Sequence, residues 1–312
     1  MSKKIVHIRS IYDLQRLAGL SPQQHPLYMI LRLEDIPVLP ENYPQHMTYD
    51  FYTIGFKKNL SGYVEYGRRQ YDFQEGMMGF TAPNQVMSYE PDISQGATGW
   101  IMFFHPQLLS GTPLQAKVLQ YGFFEYLSNE ALHLSKKEES VIESIFVNIN
   151  EEYHRSIDGH SKAVVISNLE LLLTYAERFY SRQFITRKES GNTMLDRFDT
   201  EMRRYFGHES LIDKSIPTVG YFADRLNVSP NYLSDLLRKL TGKSTIEHIH
   251  FHVVEKAKDL LVSSDKTVAE IAYELGFEYP PYFTRFFKKK TQTTPLQFRT
   301  RTKLGSGTII QP

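Results

Sequence analysis

The chain of 312 residues has no cysteine and a single tryptophan. The missing cysteine excludes a disulfide framework and thiolate-held zinc, and it accords with a reducing compartment. No apolar run approaches the roughly 20 residues that span a bilayer. Lys3, Lys4, Arg9, Asp13 and Arg16 break up the first segment, so no secretory leader is expected and the expected location is cytoplasmic. Signatures of catalysis are absent too: no G-x-S-x-G elbow, no G-x-x-x-x-G-K loop and no G-x-G-x-x-G. His7, His25, His46 and His105 stand apart, and none belongs to a His-x-His pair. The neighbouring acids Glu34 and Asp35, and Glu138 and Glu139, read as solvated charge. His248 and His252 share helical spacing that suits zinc, but no third ligand is evident. A solvated or partner-facing surface is the expectation for them. These absences together predict a protein that is no enzyme and needs no cofactor or metal.

What is present lies mostly in the last third. Charge is uneven: residues 192–312 hold 18 Lys and Arg against 14 Asp and Glu, while the preceding part holds 18 against 21. A mildly basic terminal region behind an acidic one suits a phosphate-bearing partner. Within that region one small motif occurs twice. Val219, Phe222, Ala223 and Leu226 correspond to Val268, Ile271, Ala272 and Leu275, each set at helical spacing. Beyond a break, Leu233, Leu236 and Leu237 correspond to Phe283, Phe286 and Phe287. Helix, tight turn, helix is the pattern of a helix-turn-helix, over residues 218–240 and again over 267–290.

Boundary residues agree. Thr267 with Glu270 three residues on makes a capping box, and Ser229 followed by Pro230 starts a helix. Asn227 and Gly276 stand where a left-handed residue ends the first helix of each copy. Pro280 and Pro281 can open a helix but cannot sit inside one.

The second copy resembles the C-terminal signature of the AraC family of bacterial transcription regulators. The resemblance rests on A-x-x-L-G-F at 272–277, Y-F-T-R-F-F-K-K at 282–289 and T-P-L-Q-F-R at 294–299. With the first copy it covers roughly residues 194–299, including the connecting helix such proteins place between the motifs, here 245–262. Two residues depart from the pattern: Gln292, where the family often has glycine, and Asp235, where a basic or amide residue is common.

Residues 27–104 read differently, with short alternating runs such as 49–56 and 63–66. Gly62, Gly67, Gly76, Gly79, Pro83 and Pro91 supply turns between them, which suggests a β-sandwich or barrel. Residues 71–85 are similar to a strand-turn-strand passage of the cupin-like barrel many AraC relatives carry. The expected fold class is therefore α+β and multidomain. It comprises a cupin-like sensor domain (1–134), a helical dimerisation segment (135–185), a polar linker (186–193) and an all-α DNA-binding domain (194–304).

The expected function is sequence-specific regulation of transcription, modulated by a small-molecule effector in the barrel. The alternative is a cupin-type binding protein or enzyme whose C-terminal domain docks a partner. If the core residues face inward, Asn231, Ser234, Asp235 and Arg238 project from the first recognition helix. Pro281, Thr284, Arg285 and Lys288 project from the second. Arg285 suits bidentate pairing with guanine, and Lys288, Lys289, Lys290 and Arg299 suit phosphate. The resemblance further implies a homodimer through the 135–185 helices and, for an activator, contact with RNA polymerase.

Overall fold

The computed structural model describes residues 5–20, 24–40, 43–58, 65–66, 69–70, 76–88, 98–127, 130–187, 194–206 and 215–305. The chain divides into two compact units, residues 1–186 and 187–312.

The first unit holds ten strands among its described residues. In chain order they are β1 (Val6–Ile8), β2 (Tyr28–Arg32), β3 (His46–Tyr49), β4 (Tyr52–Lys58), β5 (Glu65–Tyr66), β6 (Arg69–Gln70), β7 (Met77–Thr81), β8 (Val86–Ser88), β9 (Thr98–Phe104) and β10 (Leu132–His133). A five-stranded antiparallel sheet runs β10-β7-β4-β9-β2, a three-stranded one β1-β3-β8, and β5 pairs with β6. The five-stranded ladder does not close on itself among the described residues.

Two details correct the expectation. The run 49–56 is two strands, broken at Asp50–Phe51, so that Tyr49 lies in one sheet and Tyr52 in another. Gly79 is no turn residue but the middle of β7, opposite Gly55. Gly62, Gly67, Pro91 and the first residues of the 63–66 and 71–85 runs lie outside the described residues, as does the linker beyond Arg187.

One face of the large sheet is apolar and covered by helices. Tyr52, Ile54 and Phe56 of β4 alternate on it with Trp100, Met102 and Phe104 of β9, and all are buried. This burial is what period-two patterning requires of a sheet face packed against helices. Short α2 (Leu114–Lys117) precedes α3 (Lys136–Tyr153), which buries Ile142, Ile145, Phe146 and Ile149. Phe146 stacks with both Phe56 and Trp100, at 6.1 and 6.2 Å between centroids. Helix α4 (Ser161–Arg187) buries Val165, Leu169, Leu172, Leu173 and Ala176. Helix α1 (Ile11–Ala18) closes the N-terminal side on β1, capped by Ser10.

The acidic pair at the start of α3 is not solvated charge. Glu138 completes a capping box with Ser135 and pairs with Arg182 at 2.8 Å. Glu139 is buried and accepts the Gly76 amide. That contact needs glycine, since a Cβ there would lie 2.8 Å from the Phe56 ring and 2.9 Å from the Glu139 side chain. Glu34 likewise has partners: it accepts the Gly99 amide at 3.0 Å and faces Arg32 at 3.4 Å.

The second unit is helical: α5 (Met194–Phe206), α6 (Val219–Leu226), α7 (Pro230–Thr241), α8 (Thr245–Ser263), α9 (Val268–Glu274), α10 (Pro280–Thr291) and α11 (Pro295–Gly305). Each recognition-type helix ends on a left-handed residue, Gly242 after α7 and Gln292 after α10, with φ of 77° and 63°. A side chain in that conformation carries a steric cost that glycine avoids. Gln292→Gly is therefore expected to stabilise the unit by about 0.5–1 kcal/mol. Thermal unfolding of the two proteins checks this, and a lower melting temperature for the glycine variant would mean that Gln292 has compensating contacts.

Candidate nucleic-acid interface

The helix-turn-helix pairs are assembled from local signals. Thr218 accepts the Tyr221 amide at 3.1 Å and opens α6, which closes on Asn227 at φ 56°. Ser229 accepts the Tyr232 amide at 3.2 Å and Pro230 takes the first helical position of α7. In the second copy the Thr267–Glu270 box opens α9, and Gly276 at φ 82° follows it. Tyr279 stands at the N-cap of α10 and supplies no side-chain cap, unlike Ser229.

The inward faces are as patterned. Leu233, Leu236 and Leu237 are buried on α7, whereas Leu240 is half-buried. On α10, Phe283 and Phe287 are fully buried and the half-buried Phe286 packs against the same cluster. That cluster joins Val254, Ala257 and Leu261 of α8 to Ile271, Ala272 and Leu275. Helix α8 touches α5, α7, α9 and α11, so a single helix braces both motifs.

The outward faces differ in how free they are. Arg238, Pro281, Arg285, Lys288 and Lys289 are exposed, and Lys290 with them; Asn231, Ser234, Asp235 and Thr284 are half-buried. Arg285 sits 5.7 Å from the Tyr282 ring and forms no ion pair among the described residues. Tyr282 is itself 59% exposed, an aromatic surface that helical patterning does not explain. On α7, Asp235 holds Arg238 at 3.2 Å, so the acid that departs from the family pattern restrains the neighbouring cation. The Ser234 hydroxyl donates to buried Thr245 at 3.3 Å, which ties α7 to α8.

Arg299 requires a correction. Its guanidinium donates to the Leu261 carbonyl at 3.0 Å and the Lys266 carbonyl at 2.6 Å, closing the end of α8 and the loop after it. It clamps this part of the unit, with Nε and one terminal nitrogen of its guanidinium engaged by these carbonyls.

The histidines are corrected as well. His248 meets Thr241 Oγ1 at 2.8 Å, His250 packs edge-on to Phe286, and His252 stacks on Phe206. All three are half-buried: His248 and His252 both pack on α5, through Phe198 and Phe206, and His250 meets α10. Among the described residues no three metal-binding side chains converge. Burial is the leading cause that lowers each histidine's pKa, aided at His250 by Lys290 and Lys289. The fold thus prefers the neutral rings, and the unfolded chain binds more protons below about pH 6.5. Stability of this unit is expected to be full above that pH and to fall as pH drops toward the depressed folded values. Replacing the three with glutamine should flatten the acid limb of a melting-temperature profile; an unchanged limb would assign it to other groups.

A cleft of about 740 Å³ that patterning does not reveal opens between α8, the end of α10 and α11. Lys243, Lys258, Lys290 and Arg301 line it together with Glu247 and Glu255. Lys243 follows the first recognition helix and Lys290 ends the second, so cations stand at the C-terminal ends of both. The Lys243 ammonium lies 5.1 Å over the ring of Phe251. No helix among the described residues is long and apolar enough to cross a membrane.

Comparison with known proteins matches both units. The model of an AraC-like ligand binding domain matches residues 41–139, and that of a helix-turn-helix domain matches residues 222–301. The chain is 34% identical over 96 residues to the bifunctional transcriptional activator/DNA repair enzyme AdaA of Bacillus subtilis (strain 168), covering 30% of this chain and 46% of that one. It is 29% identical over 160 residues to the uncharacterized HTH-type transcriptional regulator YfiF of the same organism, 51% of this chain and 48% of the other. The C-terminal domain of AraT, a response regulator from Geobacillus stearothermophilus, is 34% identical, with 33% of this chain and 84% of that chain covered at a TM-score of 0.30. This chain spans less than half the length of either curated relative. The relatives are mainly named as transcriptional regulators. An AraC-like ligand binding domain thus stands ahead of a helix-turn-helix domain, and the two matches together support a regulator of the AraC family.

Proposed function

We propose that the protein binds duplex DNA through α7 and α10 and regulates transcription in response to a small molecule held by its first unit. One observation carries this reading. Two helix-turn-helix motifs share a single bracing helix, and each keeps a polar outer face on its second helix. Such helices enter successive major grooves, roughly 34 Å apart. Arg285 reads a guanine edge, with Asn231, Thr284 and Pro281 beside it and Arg238 released from Asp235 by the phosphates. Lys288 and Lys289 neutralise the backbone, joined by Lys290 and by Lys243 at the cleft.

The domain limits follow the same logic: a sensor at 1–134, helices from 135 that run on to Arg187, two residues beyond the expected end, a linker after it and the DNA-binding part at 194–304. Val164 and Leu171, seven residues apart on α4, keep apolar side chains exposed, which supports a homodimer through this helix. The protein acts in the cytoplasm, contacts RNA polymerase if it activates, and performs no catalysis of its own.

Affinity is expected to fall about 10³–10⁵-fold between 50 and 200 mM salt if six to ten phosphates are contacted. Fluorescence anisotropy with a labelled duplex measures this directly. A salt-independent affinity contradicts the reading.

A further inference from the structure

The two faces of the five-stranded sheet are not alike. Helices cover the face of Ile54 and Phe56, and the opposite face is organised by an unbroken register into three cross-strand rows. Residues directly opposite in antiparallel strands point to the same side. The first row is Met29, Phe103, Thr53 and Thr81; the second is Leu31, Ile101, Gly55 and Gly79; the third sets Lys57 beside Met77.

Each row offers something different. Thr53 is only 5% exposed, and its hydroxyl has no hydrogen-bond partner among the described residues. A buried, unpaired hydroxyl is costly, so its retention calls for an explanation. Its neighbour Thr81 is engaged by the Met87 sulfur at 3.2 Å, and Tyr49 and Phe51 pack on Phe103, so this end is roofed. In the middle row the paired glycines leave a bare floor: a Cβ at either Gly55 or Gly79 would meet no atom of the described residues within 4 Å. Nothing in the backbone demands glycine there, since neither has a positive φ. In the third row Lys57 is half-buried and makes no ion pair or hydrogen bond among the described residues, whereas adjacent Lys58 points to the helical side and pairs with Glu143 at 2.7 Å. Burial lowers the pKa of Lys57, as expected of a cation that lacks a counter-charge.

From Thr53 to Lys57 the strand rises roughly 13 Å. We infer that this face is the ligand seat of the first unit and that it takes a small organic anion. The anionic group pairs with the Lys57 ammonium, a flat or slender body lies over Gly55 and Gly79, and a polar group at the far end satisfies the Thr53 hydroxyl. The inference deepens the effector part of the proposed function and rests on it. Carboxylates and phosphate monoesters share the required charge.

The test is thermal unfolding of the full chain with three anions, benzoate, galacturonate and glucose 6-phosphate, against their neutral counterparts benzamide, galactose and glucose. At least one anion should raise the melting temperature while its neutral counterpart does not, because a ligand of the native state stabilises it. The carboxylate and phosphate arms separate the two sources of charge. Lys57→Met should weaken that anion at least about tenfold, and Lys58→Met should leave it unchanged. Gly79→Val, which fills the floor without a clash, should abolish the shift. Thr53→Val should raise the melting temperature of the free chain yet diminish the shift, a combination that a purely structural threonine cannot produce. No anion surpassing its neutral counterpart, or Lys57→Met and Gly79→Val both binding like the parent, overturns the inference. Duplex affinity measured on the same preparations keeps the two readings apart: intact DNA binding without an anion shift sinks the ligand seat alone.

Discussion

Phe283→Ala is expected to cost the C-terminal unit about 3–5 kcal/mol, the usual range for removing a fully buried aromatic ring. Phe283 is 0% exposed and meets Phe277 at 5.3 Å and Phe287 at 5.8 Å between centroids. It belongs to the cluster that fastens α9 and α10 to α8, so the hole opens where the second motif is joined to its brace. A small domain has only about 5–15 kcal/mol of stability in total. The melting temperature of this unit should therefore fall by roughly 10–20 °C, and DNA affinity should fall with it. The first motif has its own core around Phe222 and Leu233, so Leu233→Ala should be costly in the same manner. A variant at Phe283 that melts like the parent would show that the cluster does not hold the second motif together.

Arg285→Ala addresses sequence reading without touching the core. The side chain is exposed, lies beside the Tyr282 ring and is engaged by no carboxylate among the described residues. A guanidinium bonded bidentately to guanine contributes about 1–3 kcal/mol of discrimination. Affinity for the preferred duplex should thus drop roughly 10- to 100-fold, with little change for random DNA and none in melting temperature. Arg285→Lys should not restore the preference, because an ammonium cannot form the paired fork. Lys288→Ala should behave differently, weakening all duplexes alike and reducing the salt slope by about one. Equal loss on specific and random DNA would reassign Arg285 to a phosphate.

Much of the C-terminal unit was legible because its signals are local. Helix caps at Thr218, Ser229 and Thr267, the left-handed Asn227 and Gly276, and apolar stripes at helical spacing each involve residues within a few positions. Duplication then made a common pattern specific. What escaped depends on distant partners. Arg299 carries a charge that reads as phosphate-binding, but its acceptors lie 38 and 33 residues upstream. Glu139 reads as solvated until Gly76, 63 residues earlier, comes to meet it. Spacing puts His248 and His252 of α8 on a common face, but only the fold shows that this face packs on Phe198 and Phe206 of α5, more than 40 residues upstream.

The first unit was legible only in outline. Alternation predicts strands but not which sheet each joins, and so the break between Tyr49 and Tyr52 is invisible to it. Gly79 looks like punctuation in the sequence. Only the register that sets it opposite Gly55 turns it into a floor. Candidate DNA-contacting residues were legible where a helix has one buried face, since the remainder must project. Their partners were not: Asp235 restraining Arg238, and Ser234 reaching Thr245, follow from geometry that spacing leaves open.

The most direct measurement is a hydroxyl-radical footprint of the full chain on the duplex enriched from a random DNA pool. Two protected segments on one side of the helix, about 10 base pairs apart, are predicted for each protomer. Failure to enrich any sequence, or a single protected segment, would contradict the claim that α7 and α10 occupy neighbouring major grooves together.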